Sequence, residues 1–231
     1  MRLADLSWPQ VPLDALLAVP VGSTEQHGPH LPLSTDTDIA GALCDRLAAR
    51  RPGVLVAPPV PYGSSGEHAA FPGTLSIGQA ALELVLVELI RGAHQRRVLI
   101  VNGHGGNAAP LTRAVATLRS EGRDVLAWSP TVRGGDAHAG RTETSLQLAL
   151  DPGRVRMPAT AAGNPAKLAS AAGNPAPLAS LMPALAEGRL RELSPSGVLG
   201  DVSGASAAVG NELLTTLLTD LQRCVAERWP T

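Results

Sequence analysis

Arg97-Val98-Leu99-Ile100-Val101-Asn102-Gly103-His104-Gly105-Gly106-Asn107 is an apolar run that breaks abruptly into a glycine-rich turn. The apolar part has the length of a buried strand, and residues 107–120 read as a helix ended by Gly122. A strand, a tight turn and a helix in that order form the building unit of an α/β fold.

The same alternation extends in both directions. Leu16–Val21 is a short apolar run that stops at Gly22 and reads as a strand. Residues 38–50 carry helical spacing through Ile39, Leu43 and Leu47, and residues 54–60 are strand-like between prolines. Residues 79–94 read as a helix with Leu82, Val85, Leu86 and Leu89 on one stripe. A strand over 125–128, a helix over 142–150 and a long last helix over 205–228 complete the pattern. These elements predict a single-domain three-layer sandwich across 1–231, with a mostly parallel sheet and helices on both faces. In such sheets the functional loops leave the carboxyl ends of the strands.

Bulk composition narrows the function classes. Of 231 residues, 44% are hydrophobic but only 2% aromatic, so the core is built from Ala, Val and Leu. That composition excludes readers that stack bases on Phe and Tyr. With a formal net charge of -1 and no block of Lys or Arg, nothing calls for a nucleic-acid or membrane-surface partner. Cys44 and Cys224 lie far apart, fit no zinc or redox spacing, and suit a reducing compartment. The N-terminus lacks a charged segment followed by an apolar one, and the apolar stretch 80–90 is broken by Glu83 and Glu88. The expectation is a cytoplasmic protein. One segment stands apart: AAGNPAKLAS (161–170) recurs as AAGNPAPLAS (171–180), differing only where Lys167 becomes Pro177. This reads as a duplication in a surface loop, too short for a repeat array.

Of the six histidines, His27, His30, His68, His104 and His138 lie in Gly- or Pro-rich connections, and only His94 falls in a predicted helix. Loops after strands are where α/β enzymes place their ligands. In the stretch 22–32 (GSTEQHGPHLP), Glu25 and His27 are two apart, so an extended backbone turns both to one side. Such a pair can supply an oxygen and a nitrogen to neighbouring cations; the same residues also fit an exposed turn with a hydrogen-bonded histidine. Asp36 follows a proline-containing loop, and a carboxylate there can bridge two cations. Asp38 reads as the N-cap of the next helix. In the second cluster the strand delivers His104 into the turn, and Asn107 caps the following helix. That turn lacks the G-x-G-x-x-G pattern of a phosphate loop.

The third cluster runs over 134–145 (GGDAHAGRTETS). Glu143 falls in the first turn of a predicted helix, as a ligand or as a carboxylate at the positive helix end. His138 precedes it in a flexible loop, where a mobile acid/base group is expected, and Asp136 either orients it or is solvated. A fourth segment, 62–68 (YGSSGEH), follows the second strand; Glu67 and His68 there are candidates for substrate binding, as is Asp136. No serine occupies a G-x-S-x-G elbow and neither cysteine lies in a loop near a histidine. Carboxylates and imidazoles without a nucleophile point to a metal-activated water, with Zn, Fe(II) or Mn equally compatible.

The segments 23–32 with Asp36, 102–107 and 138–145 resemble the creatininase family, with the motifs in the family's order. That resemblance implies one α/β domain, two divalent metal ions, hydrolysis of cyclic or linear amide bonds by a metal-bound water, and assembly into homo-oligomers. It implies Glu25, His27, Asp36 and His104 as metal ligands, with Asp36 as the bridge, and His138 as the acid/base residue. The creatinine hydrolases of the family carry a carboxylate ligand two residues after the histidine of the second cluster, where this chain has Gly106. Glu143 is the expected substitute. That departure, with no tryptophan near 134–138, argues against creatinine as substrate. More narrowly, 21–38, 62–78, 134–145 and 197–201 (GVLGD) resemble the peptidase subfamily of mycofactocin biosynthesis. This implies a modified precursor peptide as substrate, cut near its C-terminus to release a Val–Tyr-derived heterocycle. The alternatives are a lactam or formamide hydrolase of the same family, and a binding protein that has lost catalysis.

Overall fold

The computed structural model describes residues 1–156, 183–184 and 187–230. The duplicated segment 161–180 lies outside the described residues. Four strands form one sheet in the order β2-β1-β3-β4, all pairs parallel. They are β1 (Leu16–Val21), β2 (Val54–Val56), β3 (Arg97–Asn102) and β4 (Asp124–Trp128). Among the described residues, the helices of ten residues or more are α1 (Thr35–Arg50), α2 (Gln79–Gly92), α3 (Ala108–Ser120), α4 (Arg141–Leu150) and α5 (Ala207–Arg228).

Period-two alternation along the strands divides the core into two layers. Leu16, Ala18, Leu99 and Val101 face α1, α4 and α5, packing with Leu43, Leu47, Leu146, Leu217 and Leu221. Leu17, Val19, Val21, Val98 and Ile100 face the other way, against Leu82, Leu86 and Ile90 of α2 and Leu111, Ala114 and Leu118 of α3. This is the expected sandwich. Both layers are mainly aliphatic, with Trp128 and Trp229 the aromatic members of the first. Burying one Leu or Ile side chain stabilises the fold by about 1.5–3 kcal/mol.

Several boundaries and faces differ from the sequence reading. The second strand stops at Val56, with Val60 rejoining only as an isolated bridge to Val21, because prolines at 58 and 59 offer no N–H to a ladder. Helix α1 begins at Thr35, so Asp36 sits in its first turn and not in the preceding loop. Asp38 is therefore no N-cap. Its carboxylate accepts from Ser34, Gln147 and Arg154. Helix α2 ends at Gly92, leaving His94 beyond it, and buries Leu82, Leu86, Val87 and Ile90 while Leu84, Val85 and Leu89 stay exposed. An apolar residue occupies nearly every face of α2, so spacing alone does not choose the buried one. Helix α5 starts at Ala207, where Ser206 Oγ accepts from Val209 N–H. Among the described residues, no helix is long and apolar enough to cross a membrane.

The topology places the site. Strand order reverses between β1 and β3, which run side by side in register to Val21 and Asn102. Loops leaving those two carboxyl ends open into a crevice. Gly103 lets α1 close over it: a Cβ there would stand 2.3 Å from the main-chain oxygen of Asp36.

Candidate active site

The expected side chains, Asp136 apart, arrive in the crevice from several elements. The loop after β1 carries Glu25 and His27, and the first turn of α1 carries Asp36. The turn after β3 carries His104. A 3-10 turn over Gly66–His68 brings Glu67 and His68, and the loop before α4 brings His138 beside Glu143. Asn102 and Asn107 lace these loops together. Asn102 Nδ2 donates to the His104 carbonyl, and Asn107 Nδ2 donates to Gly22 O and Asn102 Oδ1. Asn107 Oδ1 accepts from Ser64 N–H, so its side chain joins loops and does not cap α3.

The charged groups meet at short range. Asp36 Oδ1 lies 3.1 Å from His27 Nε2, and Asp36 Oδ2 lies 3.1 Å from His104 Nδ1. Glu25 Oε2 is 3.2 Å from His104 Nε2, and Glu25 Oε1 is 3.4 Å from His68 Nε2 and 3.9 Å from His138 Nδ1. Glu143 Oε2 is 3.7 Å from His27 Nε2 and 4.0 Å from His138 Nδ1, and accepts from Ala139 N–H at 2.6 Å. Glu67 Oε1 stands 3.7 Å from His104 Nε2.

These groups hold one another's protons. Burial raises the Glu25 carboxyl to about 8. Burial works to lower His27 and His104, but the carboxylates outweigh it, Asp36 foremost for His27 and Glu25 for His104. The two rings are thereby pushed up to about 10 and about 9. Asp36 is driven well below the usual carboxylate range: burial would raise it, and the His27 and His104 charges prevail. Burial, with the His104 and His27 charges, pushes His68 down to about 3.

The donor set suits cations. Both Glu25 oxygens are buried without a hydrogen-bond partner, a costly arrangement unless a positive ligand takes them up. Three groups place their ligand atoms within 4.8 Å of one another: Glu25 with His27 and Asp36, His27 with His138 and Glu143, and Glu25 with His68 and His138. They share members, so the residues form one continuous cluster. Imidazole and carboxylate donors fit Zn, Fe(II) or Mn.

Comparison with known proteins identifies the arrangement. Residues 4–225 match the family model described as creatininase, creatinine amidohydrolase. The chain belongs to the creatininase family. As a creatininase-family hydrolase it is 47% identical over 225 residues to the mycofactocin precursor peptide peptidase of Mycobacterium tuberculosis, covering 92% of this chain and 85% of the relative. It is 48% identical to the enzyme of that name from Mycolicibacterium smegmatis, over 88% of this chain and 81% of the relative. The creatinine amidohydrolase of Pseudomonas putida is 33% identical over 66% of this chain and 71% of its own length. Among solved structures, creatininase superposes with a TM-score of 0.77 at 26% identity, covering 100% of this chain and 98% of that one. One of the similar creatininase structures is titled as a manganese form and another, a mutant, as a zinc–zinc type.

Within the creatininase frame, the sequence-predicted residues Glu25, His27, Asp36, His104, Glu143 and His138 all reach one cluster. His68 and Glu67 reach it too. Asp136 does not: its carboxylate accepts from the Arg141 and Thr142 main-chain N–H groups and from the Thr142 hydroxyl, tying the loop to the start of α4. Sequence reasoning missed Ser23, whose hydroxyl donates to Asp36 Oδ2 at 2.7 Å, and Gln26, whose amide touches both His68 and His138. Both lie inside the first histidine cluster, but serine and glutamine carry no metal-ligand signal of their own.

Proposed function

We propose that this chain is a dinuclear metal-dependent peptidase that hydrolyses an amide bond near the C-terminus of the modified mycofactocin precursor peptide, releasing its Val–Tyr-derived heterocycle. The observation that carries this reading is the 47% identity to a peptidase of that name across 92% of the chain. The crevice supports it with the expected donors in one place. Glu25, His27, Asp36, His104 and Glu143 would hold two divalent ions, with Asp36 between them because its two oxygens face different rings. Bound ions of this kind supply a water of lowered pKa and polarise the scissile carbonyl.

The side chains provide the rest. His138 Nε2 donates to the Gln26 carbonyl at 2.9 Å, which leaves its Nδ1 lone pair facing Glu25 and Glu143. That nitrogen takes a proton from the attacking water and returns it to the departing amine nitrogen. Glu143 holds the loop that carries His138 through the Ala139 N–H. Asp136 then acts on substrate only through the loop it braces. The free cysteines Cys44 and Cys224 suit a cytoplasmic setting. A homo-oligomer is part of the proposal, with exposed Leu84, Val85 and Leu89 of α2 as its supporting surface.

The test is mass spectrometry of the modified precursor peptide incubated with the metal-loaded protein, beside assays with creatinine and a formamide. Release of the C-terminal fragment with no turnover of the small amides is expected. Small-amide turnover with an intact peptide would replace this reading by the small-molecule amidohydrolase.

A further inference from the structure

Gln26 sits between two proposed ligands and belongs to none of the three metal-binding groups, yet its side-chain amide is fixed at both ends by main chain. Oε1 accepts from Gly28 N–H at 2.8 Å and Nε2 donates to Gly197 C=O at 3.1 Å. Exchanging the amide's oxygen and nitrogen would set donor against donor at Gly28 and acceptor against acceptor at Gly197, so the orientation is determined. Nε2 has two hydrogens. Gly197 takes one, and His68 Nδ1 lies 2.8 Å away to take the other. A ring nitrogen that accepts carries no proton, so the neutral His68 ring bears its hydrogen on Nε2.

His138 takes the same tautomer through its other edge. Its Nε2 lies 2.9 Å from the main-chain carbonyl of Gln26, which can only accept, so its hydrogen is on Nε2 and its lone pair on Nδ1. The 3.2 Å approach of Gln26 Nε2 to the same ring nitrogen is no hydrogen bond, because both amide hydrogens are already committed. One residue thus sets the same Nε2–H tautomer on two rings whose centroids are 4.5 Å apart, but turns opposite edges of them toward Glu25. Both rings point their free edge at Glu25 Oε1, His68 with an N–H at 3.4 Å and His138 with a lone pair at 3.9 Å. Among the described residues, His68 Nε2 makes no hydrogen bond.

We infer that His68 is a further catalytic residue of this site, an N–H donor to the scissile carbonyl oxygen and not a metal ligand, with Gln26 as its positioning residue. The inference rests on the amide-hydrolase reading above. As water adds to the carbonyl carbon, the π pair of the C=O bond moves onto oxygen. The His68 Nε2–H donates a hydrogen bond to that oxygen and keeps its proton throughout, so no bond to His68 forms or breaks. A fixed donor aimed at developing charge contributes about 10²–10³ in rate.

The experiment compares wild type, His68→Phe and His68→Gln as zinc-loaded proteins. It reads metal per chain, kcat and KM for peptide cleavage, and the wild-type histidine tautomers from long-range ¹H–¹⁵N spectra. The expected result is unchanged metal content in both variants, kcat lower by about 10²–10³ in His68→Phe with KM little moved, and partial recovery in His68→Gln, which keeps an N–H. Loss of a metal equivalent from a folded His68→Phe, unchanged kcat, or an Nδ1–H tautomer in wild type would overturn the inference. If His68→Phe does not fold, the wild-type tautomer decides. A wild type that binds zinc and cleaves peptide while these outcomes fail leaves the hydrolase reading standing; a wild type that does neither removes that reading, and the inference with it.

Discussion

His104 Nδ1 stands 3.1 Å from Asp36 Oδ2, a contact between the turn after β3 and the first turn of α1 that the sheet makes possible by ending β1 and β3 at the same level. The other Asp36 oxygen is the same distance from His27. A buried carboxylate shared between two rings is where positive charge must sit, as protons or as cations.

That exchange has a pH dependence with a definite sign. His27, His104 and Glu25 are raised to about 10, 9 and 8 in the folded protein. A raised pKa contributes stability that is present below the unfolded value and lost as pH rises through the folded one. Metal-stripped protein should therefore lose thermal stability as pH rises from about 6.5 towards 9. Metal binding must displace the same protons, so apparent affinity rises over that window. The gap between loaded and stripped Tm, measured by calorimetry, should widen with pH. A gap that narrows would contradict the assignment.

Ser23 donates to Asp36 Oδ2 from outside the ligand set. Outer partners of this kind typically contribute about 10–100-fold in metal affinity or activity. Ser23→Ala should lose that much affinity in a competition titration against a chelator of known strength, with its unfolding midpoint near wild type.

Gly106 is required by space. A Cβ there would lie 2.3 Å from Ser64 O, 2.5 Å from His104 Nε2 and 2.7 Å from Glu67 Oε1. Gly106→Ala should displace the His104 ring and lower metal content, at an overpacking cost of about 1–3 kcal/mol. Metal analysis beside denaturant unfolding separates the two effects, and full metal occupancy in this variant would show that His104 is dispensable.

Gly210 tests the packing of α5 on α4. Alanine in a helix interior is ordinarily better than glycine by about 1 kcal/mol. Here a Cβ would stand 1.9 Å from Ser145 O and 2.8 Å from the Ala149 Cβ, so the sign reverses. Gly210→Ala should destabilise by about 1–3 kcal/mol, read as a lower urea midpoint at unchanged slope.

Much of this site was legible because its residues announce themselves. Histidines and carboxylates in Gly- and Pro-rich loops after apolar runs are poor core material, and parallel-sheet topology gathers strand-end loops at one edge. Spacing puts Val85 and Leu89 on one stripe with Leu82 and Leu86, but α2 is apolar on nearly all sides, so only packing against the sheet selects Leu82, Leu86 and Ile90 and leaves the other two exposed. Apolar spacing starts the helix only at Asp38 and leaves Asp36 in the loop, but α1 already begins at Thr35, with Ser34 making no side-chain cap bond to mark it. The role of Gln26 depends on Gly197, distant in the chain and close only after folding. Asp136 looked like a site residue by proximity to His138, but the open amides of α4 claim it.

The most direct measurement is transition-metal content per chain in wild type and Asp36→Ala, with cleavage of the modified precursor peptide assayed on both. About two ions per chain are expected in wild type, lost together with activity in the variant. A wild type that is metal-free, inactive and cannot be reconstituted would contradict the dinuclear reading.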